Sequence, residues 1–147
     1  MALSDAEIRV ALGEKSLVID PFDELSLNPA GYDLRLSSDK VLGPSEHCLV
    51  ATMEKVELGG DLVGILHIRS SLAREGILAS LALVDPGFRG QLTISLSNSG
   101  RKTVQLKRGE RFVQLTVLRL GKPAAKMYKG RYQDSHGVVD SRRQATT

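Results

Sequence analysis

Short apolar runs separated by turn residues make up most of the chain after Ser16. Apolar and polar residues alternate in several runs, as in residues 32–36 and 92–96, which is the pattern of a half-buried β-strand. Gly, Pro and Asp fall between the runs at a spacing of about 8–12 residues, which is typical of β-sandwiches and barrels. The predicted strands are residues 17–19, 32–36, 49–51, 56–58, 62–68, 77–84, 92–96, 104–106 and 112–118. The pattern indicates a mainly β fold.

One helix is predicted, near the N-terminus. Ser4 and Glu7 have the spacing of a capping box, and Ile8 and Leu12 form an apolar i, i+4 pair. Gly13 stands where a glycine in the left-handed conformation would end the helix. We expect a short helix that begins after Ser4 and stops at Gly13.

The end of the chain differs in composition. From Gly121 onward apolar residues become scarce, and Lys, Arg, Gly, Ser, Gln and Tyr dominate. Such a segment buries too little surface to pack as an independent unit. Two interpretations fit this composition: a frayed tail, or a flexible arm that becomes ordered over a ligand. We predict a β domain over residues 1–126 and a C-terminal arm over residues 127–147.

The overall composition narrows the class of protein. With 147 residues, 41% of them hydrophobic and 25% charged, the chain has the balance of one globular domain. The single cysteine, Cys48, has no partner for an internal disulfide. No apolar run approaches the roughly 20 residues of a membrane helix, and the charged first ten positions argue against a secretory signal. We expect a cytoplasmic protein that does not bind membranes.

The net charge of +3 raises the question of a nucleic-acid partner. Aromatic residues make up only 4% of the chain and tryptophan is absent, whereas single-strand binders need stacking surfaces beside their positive charge. A modest excess of Lys and Arg suits a small polyanion such as a triphosphate equally well. The histidines stand far apart from one another and from Cys48, which argues against a zinc site. We expect a small-molecule partner and no nucleic acid.

Polar residues cluster where predicted strands end. Arg69 is followed by Ser70 and Ser71, which offer a guanidinium group, two hydroxyls and backbone N–H groups. With Arg74 they have the chemistry of a phosphate-binding site, in which the N–H groups converge if Ser70 caps a helical turn over residues 72–75. The alternative is an ordinary N-cap beside surface arginines.

Asp85 ends an apolar run and is followed by Pro86 and Gly87. Its carboxylate could hold a water molecule or a sugar hydroxyl, but Asp is also favoured as the first residue of a β-turn that continues with Pro. Plain alternatives exist for two further residues. Gln114 could be a surface strand residue, and Asp33 could be a strand-end partner for a nearby arginine.

Taken in order, these clusters resemble the dUTPase/dCTP deaminase superfamily over nearly the whole chain. The matching segments are residues 30–34 (Ala-Gly-Tyr-Asp-Leu), 69–74 (Arg-Ser-Ser-Leu-Ala-Arg), 85–90 (Asp-Pro-Gly-Phe-Arg-Gly) with Asn98, and 109–115 (Gly-Glu-Arg-Phe-Val-Gln-Leu). Residues 128–133 (Tyr-Lys-Gly-Arg-Tyr-Gln) with Ser141 and Arg142 resemble the closing arm of dCTP deaminases rather than the glycine-rich arm of ordinary dUTPases. Each motif alone is weak, but five in order are specific.

The resemblance implies a distorted jelly-roll, the dUTPase-like β-clip, assembled as a homotrimer with an active site at each subunit boundary. It implies that Arg69, Ser70 and Ser71 bind the phosphates, with Arg74 beside them, and that Gln114 reaches the α-phosphate region. In this family Mg²⁺ is bound by the triphosphate of the substrate, so we expect no metal site made of protein side chains.

The remaining contacts implied by the resemblance concern the base, the sugar and the arm. The hairpin of residues 77–85 would read the pyrimidine through backbone groups, and Phe88 would lie against the deoxyribose. Asp85 would bind the 3′-hydroxyl or orient the attacking water. The arm residues expected at the nucleotide are Tyr128, Tyr132, Gln133 and Arg142. The arginine that meets the triphosphate stays open among Arg131, Arg142 and Arg143.

Position 95 separates two activities within the superfamily. dCTP deaminases carry a proton-shuttling glutamate ten residues beyond the aspartate of the third motif, and that position here is Ser95. A serine cannot both take and give protons near neutral pH. The step of 16 residues from Arg69 to Asp85 is shorter than the usual deaminase spacing and looks closest to the archaeal dUTPase branch.

These features predict a dUTP diphosphatase that hydrolyses dUTP to dUMP and pyrophosphate with Mg²⁺. The first alternative is a dCTP deaminase or a bifunctional dCTP deaminase/dUTPase. A non-catalytic nucleotide-binding regulator on the same fold is a second alternative, and a nucleic-acid-binding β-barrel is a third and weaker one.

Overall fold

Two four-stranded sheets form the body of the protein, which we describe from a computed structural model covering residues 1–143. The helices are α1 (Asp5–Gly13) and α2 (Ser70–Arg74). The strands are β1 (Leu17–Asp20), β2 (Leu27–Asn28), β3 (Gly31–Arg35), β4 (Lys40–Leu42), β5 (His47–Leu58), β6 (Leu62–Ile68), β7 (Ile77–Ser80), β8 (Arg89–Asn98), β9 (Val104–Leu106) and β10 (Arg111–Arg119). A single 3₁₀ turn, Glu24–Ser26, precedes β2.

The strands pair in antiparallel fashion. One sheet has the order β2-β3-β10-β6, the other has the order β1-β5-β8-β7, and β4 pairs with β9 in a small separate ribbon. The apolar faces of the sheets meet in one core, whose largest fully buried side chains include Tyr32, Phe112, Ile94 and Leu96. Neither helix within residues 1–143 has the length and apolar composition to cross a membrane.

Helix α1 begins as the sequence predicts and ends differently. The Ser4 Oγ accepts a hydrogen bond from the Glu7 N–H at 3.3 Å, and the Glu7 carboxylate accepts one from the Ser4 N–H at 2.8 Å, so the capping box is present. Gly13 is the last helical residue rather than the residue that stops the helix. Lys15 takes the left-handed conformation instead, with φ 59°, and its N–H bonds the Leu12 carbonyl at 3.2 Å.

Strand β5 joins two runs that the sequence pattern separates. The pattern predicts strands at 49–51 and 56–58 with a polar patch between them, whereas β5 is continuous over twelve residues with a register shift between Ala51 and Lys55. The polar patch is buried because its groups have partners. The Thr52 hydroxyl donates to the Glu54 carbonyl at 2.8 Å, and the fully buried Glu54 carboxylate accepts from the Arg35 Nε at 2.7 Å.

The apolar run at residues 77–84 is the second departure. It does not form one strand: β7 ends at Ser80, and Val84 crosses to the other sheet, where it forms an isolated bridge with Gly64. The Val84 and Gly64 backbones exchange hydrogen bonds of 2.8 and 2.9 Å. Residues 82 and 83 between them are exposed, because here the apolar side chains line a cavity instead of packing into the core.

Candidate active site

A cavity of about 340 Å³ lies where residues 82–85, strand β8 and the C-terminal segment meet. Its lining includes four of the residues that the sequence predicts for the substrate site: Asp85, Phe88, Tyr128 and Tyr132. Asp85 is the only carboxylate among the lining residues that the structure describes. We call this space the Asp85 cavity.

Asp85 occupies the first position of a β-turn, as the turn interpretation of its sequence predicts. Its carbonyl accepts a hydrogen bond from the Phe88 N–H at 3.0 Å, and Gly87 has φ 85°, a conformation that glycine adopts readily. The turn does not engage the side chain. Within residues 1–143 the Asp85 carboxylate makes no ion pair or hydrogen bond, and the residue is exposed at the cavity. The turn therefore presents the carboxylate to whatever enters.

Phe88 and Tyr128 form an aromatic wall of the cavity. The Phe88 ring is 7% exposed, and its centroid lies 5.6 Å from that of Tyr128 in an edge-to-face arrangement. Edge-to-face contact is a favourable geometry for two rings. The Tyr128 N–H bonds the Pro86 carbonyl at 2.8 Å, so the beginning of the arm is attached to the turn that carries Asp85.

The arm, described as far as Arg143, lies along β8 of its own chain. The Asp134 N–H donates to the Arg89 carbonyl at 2.7 Å, and the Gln91 N–H donates to the Ser135 carbonyl at 2.9 Å. Arg89 and Asp134 also form an ion pair, which lowers the pKa of the Asp134 carboxyl group and raises the pKa of the Arg89 guanidinium. Residues 144–147 of the predicted arm lie outside the described residues.

Two predicted arm residues anchor the arm and do not line the cavity. The Gln133 side chain accepts from the Arg89 N–H at 2.9 Å and donates to the Gly87 carbonyl at 2.8 Å. The Arg142 N–H donates to the Tyr132 hydroxyl at 3.0 Å, and the Arg131 and Arg142 guanidinium groups each donate to the other residue's carbonyl. These contacts tie the arm to β8 and to itself.

The polar face of β8 binds the arm, a role that was not predicted from the sequence. The Gln91 Oε1 accepts from the Gly137 N–H at 2.6 Å, and the Thr93 Oγ1 accepts from the Val139 N–H at 3.0 Å. Both residues also line the Asp85 cavity. The signal was available: alternate residues along this strand are polar, which marks one face for contacts outside the core.

Ser95 continues the same face of β8. It is half-buried, lies opposite Leu49 of β5 and Ser80 of β7, and its Oγ is 2.7 Å from the Nε2 of His47. No carboxylate among the described residues makes a hydrogen bond with Ser95. The position that the family resemblance sets against a deaminase glutamate therefore holds a hydroxyl–imidazole pair.

Arg69 and Gln114 form a second group on the other sheet. The Arg69 Nε lies 3.1 Å from the Asp33 carboxylate, and its guanidinium also donates to the Arg111 carbonyl at 3.3 Å. Gln114 on β10 is in register with Asp33 on β3 and with His67 on β6. Asp33 is therefore the partner of a nearby arginine, which is the alternative role considered for it above, and it joins Arg69 to the strand that pairs with Gln114.

Ser70 and Ser71 form the first turn of α2 and are exposed. Arg69, not Ser70, is the N-cap, and no side chain caps this end of the helix. Ser70 is therefore not the cap of a turn over residues 72–75, which was the condition for converging N–H groups, because the helix already begins at Ser70 where the chain leaves β6. The two hydroxyls and the Arg69 side chain still lie at one end of α2.

The two groups are far apart within one chain. Val84, next to Asp85, pairs with Gly64 on β6, and Arg69 follows Gly64 by five residues, which corresponds to roughly 16 Å along an extended strand. None of Arg69, Ser70, Ser71 and Gln114 lines the Asp85 cavity. Arg74, at the far end of α2, lines a different cavity of about 500 Å³. Within one chain, these predicted site residues thus lie in three places: the Asp85 cavity, the start of α2 with Gln114, and the cavity beside Arg74.

Comparison with known proteins identifies the relatives of this arrangement. The model of the dCTP deaminase-like family matches residues 37–120. A dCTP deaminase of Pyrococcus horikoshii is 45% identical, covering 97% of this chain and 98% of that protein. A probable deoxyuridine 5′-triphosphate nucleotidohydrolase of Sulfolobus islandicus rod-shaped virus 1 is 37% identical, covering 95% of this chain and 97% of its own.

A solved structure shares the fold. The dUTPase of phage phi11 of S. aureus, a variant studied for its structural Mg(II) ion, superposes with a TM-score of 0.60 at 20% identity and covers 79% of this chain and 98% of its own. The likeness confirms the predicted mainly β, dUTPase-like fold with a short N-terminal helix. The sequence matches confirm the predicted superfamily.

Proposed function

Because the chain belongs to the dCTP deaminase-like family of enzymes, we propose that it is a dUTP diphosphatase, which hydrolyses dUTP to dUMP and pyrophosphate. The observation that carries the proposal is the acid–base content of the site. Asp85 is the one carboxylate on the described cavity wall, and Ser95, paired with His47, stands where a deaminase needs a proton shuttle. The described wall of the cavity can orient a water molecule, but it has neither a second carboxylate nor an imidazole that would protonate and deprotonate a cytosine ring, since His47 is not among its lining residues.

The proposed reaction is an in-line displacement at the α-phosphorus. The Asp85 carboxylate accepts a hydrogen bond from a water molecule and takes its proton as the water oxygen bonds to phosphorus. The bond between the α-phosphorus and the bridging oxygen breaks, and that oxygen leaves with the β- and γ-phosphates as pyrophosphate. Positioning and stabilisation of the phosphate charge supply most of the catalysis in reactions of this type.

The phosphates in this proposal are bound by Arg69, Ser70, Ser71 and Gln114. The Asp33 carboxylate holds the Arg69 guanidinium at 3.1 Å, which fixes the direction in which its remaining N–H groups point. Since these residues lie roughly 16 Å along β6 from the Asp85 cavity, we propose that the two groups meet between subunits of a homotrimer. A closed ring lets each subunit contribute one group to each neighbouring site.

The arm of residues 127–147 completes the site in this proposal, and residues 1–126 form the domain to which it attaches. Tyr128 and Tyr132 line the Asp85 cavity, while Gln133 and Asp134 fasten the arm to the first residues of β8. An arm in this position excludes bulk water from the nucleotide, which strengthens the charge interactions inside. Its attachment to its own chain favours closure over the cavity of the same subunit.

Magnesium enters as part of the substrate. The described residues contain no group of three His, Cys, Asp or Glu side chains arranged to hold a metal ion, and one carboxylate with exposed hydroxyls fits a Mg–nucleotide complex better than a free ion. Bound to the triphosphate, Mg²⁺ neutralises charge on the phosphate oxygens. The residues of this chain bind that complex and orient the water.

A product assay tests the proposal directly. The protein is incubated with Mg²⁺ and dUTP, dCTP or dTTP in separate reactions, and dUMP, pyrophosphate and ammonia are measured. We expect dUMP and pyrophosphate from dUTP and no ammonia from dCTP. Ammonia from dCTP would refute hydrolysis as the only activity, and absence of turnover with nucleotide bound would support a non-catalytic regulator.

The second candidate function is dCTP deamination, alone or combined with dUTP hydrolysis. Similarity to a dCTP deaminase, the Pyrococcus horikoshii protein at 45% identity, favours it. It is opposed by the residue at position 95. Replacement of Ser95 by Glu tests this. If that variant releases ammonia from dCTP and the wild type does not, the serine is the reason that the wild type lacks deaminase activity.

A further inference from the structure

The turn that carries Asp85 is held partly by the domain and partly by the arm. On the domain side, the Gly87 N–H donates to the Leu58 carbonyl at 2.8 Å, and the Leu58 N–H donates to the Phe88 carbonyl at 3.0 Å. The Phe88 N–H closes the turn by donating to the Asp85 carbonyl at 3.0 Å. These bonds leave the Gly87 carbonyl and the Arg89 N–H to the arm.

The Gln133 side chain occupies both of those positions. Its Oε1 accepts a hydrogen bond from the Arg89 N–H at 2.9 Å, and its Nε2 donates to the Gly87 carbonyl at 2.8 Å. The reverse orientation of the amide would set donor against donor and acceptor against acceptor. The two bonded groups belong to the planar peptide units on either side of Phe88. One side chain therefore fixes the backbone on both sides of that residue.

The backbone around Gln133 is attached to the same turn. The Tyr128 N–H donates to the Pro86 carbonyl at 2.8 Å, and the Asp134 N–H donates to the Arg89 carbonyl at 2.7 Å. Gln133 is half-buried between these two attachments, which reduces the competition of solvent for its hydrogen bonds. The attached arm and the turn therefore form one unit.

Gln133 can affect the site only through this turn. It is not among the described residues that line the Asp85 cavity, whereas Asp85 and Phe88, at the two ends of the turn, both line it. Its amide oxygen and nitrogen are already bonded to backbone groups. In a reaction that depends on orientation, a displacement of about 1 Å can cost about 10²-fold in rate.

We infer that Gln133 is a positioning residue, which sets the turn of residues 85–88 so that the Asp85 carboxylate faces the attacking water. The inference rests on the proposed function, in which Asp85 orients that water. It gives the arm a second effect besides the exclusion of bulk water: the carboxylate is correctly placed only while the arm is attached. Gln133 thus acts on the protein backbone, whereas Tyr128 and Tyr132 line the cavity itself.

The first test separates catalysis from binding. Replacement Gln133→Met keeps the length of the side chain and removes both hydrogen bonds. We expect kcat for dUTP to fall by about tenfold or more, because the carboxylate is displaced. The Kd of a non-hydrolysable dUTP analogue should change by less than about threefold, since no contact with the nucleotide is removed. Unchanged kcat, or a loss confined to Kd and KM, would overturn the inference.

The second test asks whether Gln133 acts through Asp85. In a D85N background there is no carboxylate left to position, so Q133M should lower the remaining kcat by less than about twofold. Losses that multiply in the double variant would show that Gln133 acts independently of Asp85, which contradicts the inference.

The matched control is H136M, which introduces the same residue three positions further along the arm. His136 is exposed, lines neither cavity, and makes no side-chain hydrogen bond or ion pair within residues 1–143. Its kcat should stay within about twofold of the wild type. A loss equal to that of Q133M would mean that the arm is merely sensitive to substitution, and the inference would fail.

Amide hydrogen exchange tests the contact without relying on activity. The Arg89 N–H should exchange about tenfold faster in Q133M than in the wild type, while the Leu115 N–H in the core of β10 keeps its rate. Equal protection of Arg89 in both proteins would refute the proposed positioning. Failure of the proposed function would be seen separately, as absence of dUTP hydrolysis by the wild type, and the exchange of Arg89 would still show whether Gln133 holds the turn.

Discussion

At the scale of single residues, the two acids Asp33 and Asp85 show how the environment divides similar groups between different tasks. Asp33 is 4% exposed and is neutralised by Arg69 at 3.1 Å, so its carboxylate is occupied by a protein cation. Asp85 is exposed at a cavity and has no polar side-chain partner among residues 1–143. The first is suited to positioning and the second to contact with water or substrate.

The first prediction concerns Asp85. Replacement by Asn keeps the size and the turn but removes the charge that accepts a proton from water in the proposed reaction. We expect kcat for dUTP to fall by about 10²–10³-fold, while the Kd of a non-hydrolysable dUTP analogue changes little.

Steady-state kinetics and calorimetry on the same preparations measure the two quantities. Asp5→Asn, in the first turn of α1, is the control, because it removes an exposed carboxylate remote from both cavities. Hydrolysis of dUTP by the Asp85 variant at the wild-type rate would show that this residue has been misassigned.

At the scale of elements, the arm depends on a small number of contacts with β8. Arg89 is central to them, since its N–H, its carbonyl and its guanidinium bind Gln133 and Asp134. The ion pair is on the surface, where solvent screens it. Its contribution is therefore to the order of the arm and not to the stability of the domain.

The second prediction follows from the lowered pKa of Asp134, whose cause is the hydrogen bond from Arg89. A carboxyl whose pKa is lower in the attached arm stabilises attachment fully above its ordinary pKa, near 4. That contribution disappears as the pH falls through the lowered value. We expect ¹⁵N order parameters of residues 130–139 to be constant from pH 8 to pH 5 and to fall only once the pH is below the ordinary pKa of an aspartate, near 4.

The matched variant is Asp134→Asn, which removes the ionisable group and keeps the backbone hydrogen bond to Arg89. Its arm should be as loosely held at neutral pH as the wild-type arm is in acid, with little further change on acidification. An arm in the wild type that became more ordered as the pH fell would contradict the assignment.

The third prediction is that truncation after Lys126 leaves a folded domain with little activity. The arm bonds the outer polar face and one backbone edge of β8, and its Tyr128 packs on Phe88 at the border of the core, so its removal uncovers Phe88 but keeps every strand pairing of the two sheets. The expected circular dichroism spectrum is that of the full chain, with kcat/KM for dUTP reduced by about 10²-fold or more. Full activity of the truncated protein would support the alternative interpretation, that the segment is a frayed tail.

Most elements were predictable because their apolar periodicity matches their burial. Strands β3, β6, β8 and β10 follow the predicted runs within a few residues. The exceptions have tertiary causes. The polar centre of β5 is buried because Arg35, nineteen residues away, meets Glu54, and the run at 77–84 divides because Val84 pairs with Gly64. Neither partner can be read from the local pattern.

At the scale of the whole molecule, the motifs were predictable and their arrangement was not. Arg69 and Asp85 are 16 residues apart in the sequence. They are nevertheless separated in space, because Arg69 follows the end of β6 whereas Val84, next to Asp85, pairs with Gly64 near the start of that strand. The arm contacts at Gln91 and Thr93 were missed for a related reason. A polar strand face indicates exposure, but the segment that covers it is distant in sequence.

The fourth prediction tests assembly of the site between subunits. R69A and D85N subunits, each inactive alone, are mixed, unfolded and refolded together. In a homotrimer with sites at the boundaries, random mixing at equal ratio pairs an intact Arg69 with an intact Asp85 in about one quarter of the sites. We expect dUTP hydrolysis at that fraction of the wild-type rate. Analytical ultracentrifugation of the mixture should give a species of three times the chain mass.

Recovery of activity on mixing cannot occur if each chain builds its own site. A mixture that stays inactive while sedimenting as a trimer would therefore place both groups in one subunit. R69A alone serves as the control for slow hydrolysis by the assembled protein.

The arm has a consequence for how the protein behaves in concentrated solution. Strand β7 covers β8 only from Ser95 to Asn98, and the earlier part of that side of β8 is bonded by the arm, through Asp134, Ser135 and the bridge between Gly90 and Ser135. In a chain whose arm is displaced, unpaired N–H and C=O groups of β8 face the solvent and can pair with another chain. If the arm closes over a nucleotide as proposed, nucleotide binding should therefore also protect this protein against edge-to-edge aggregation.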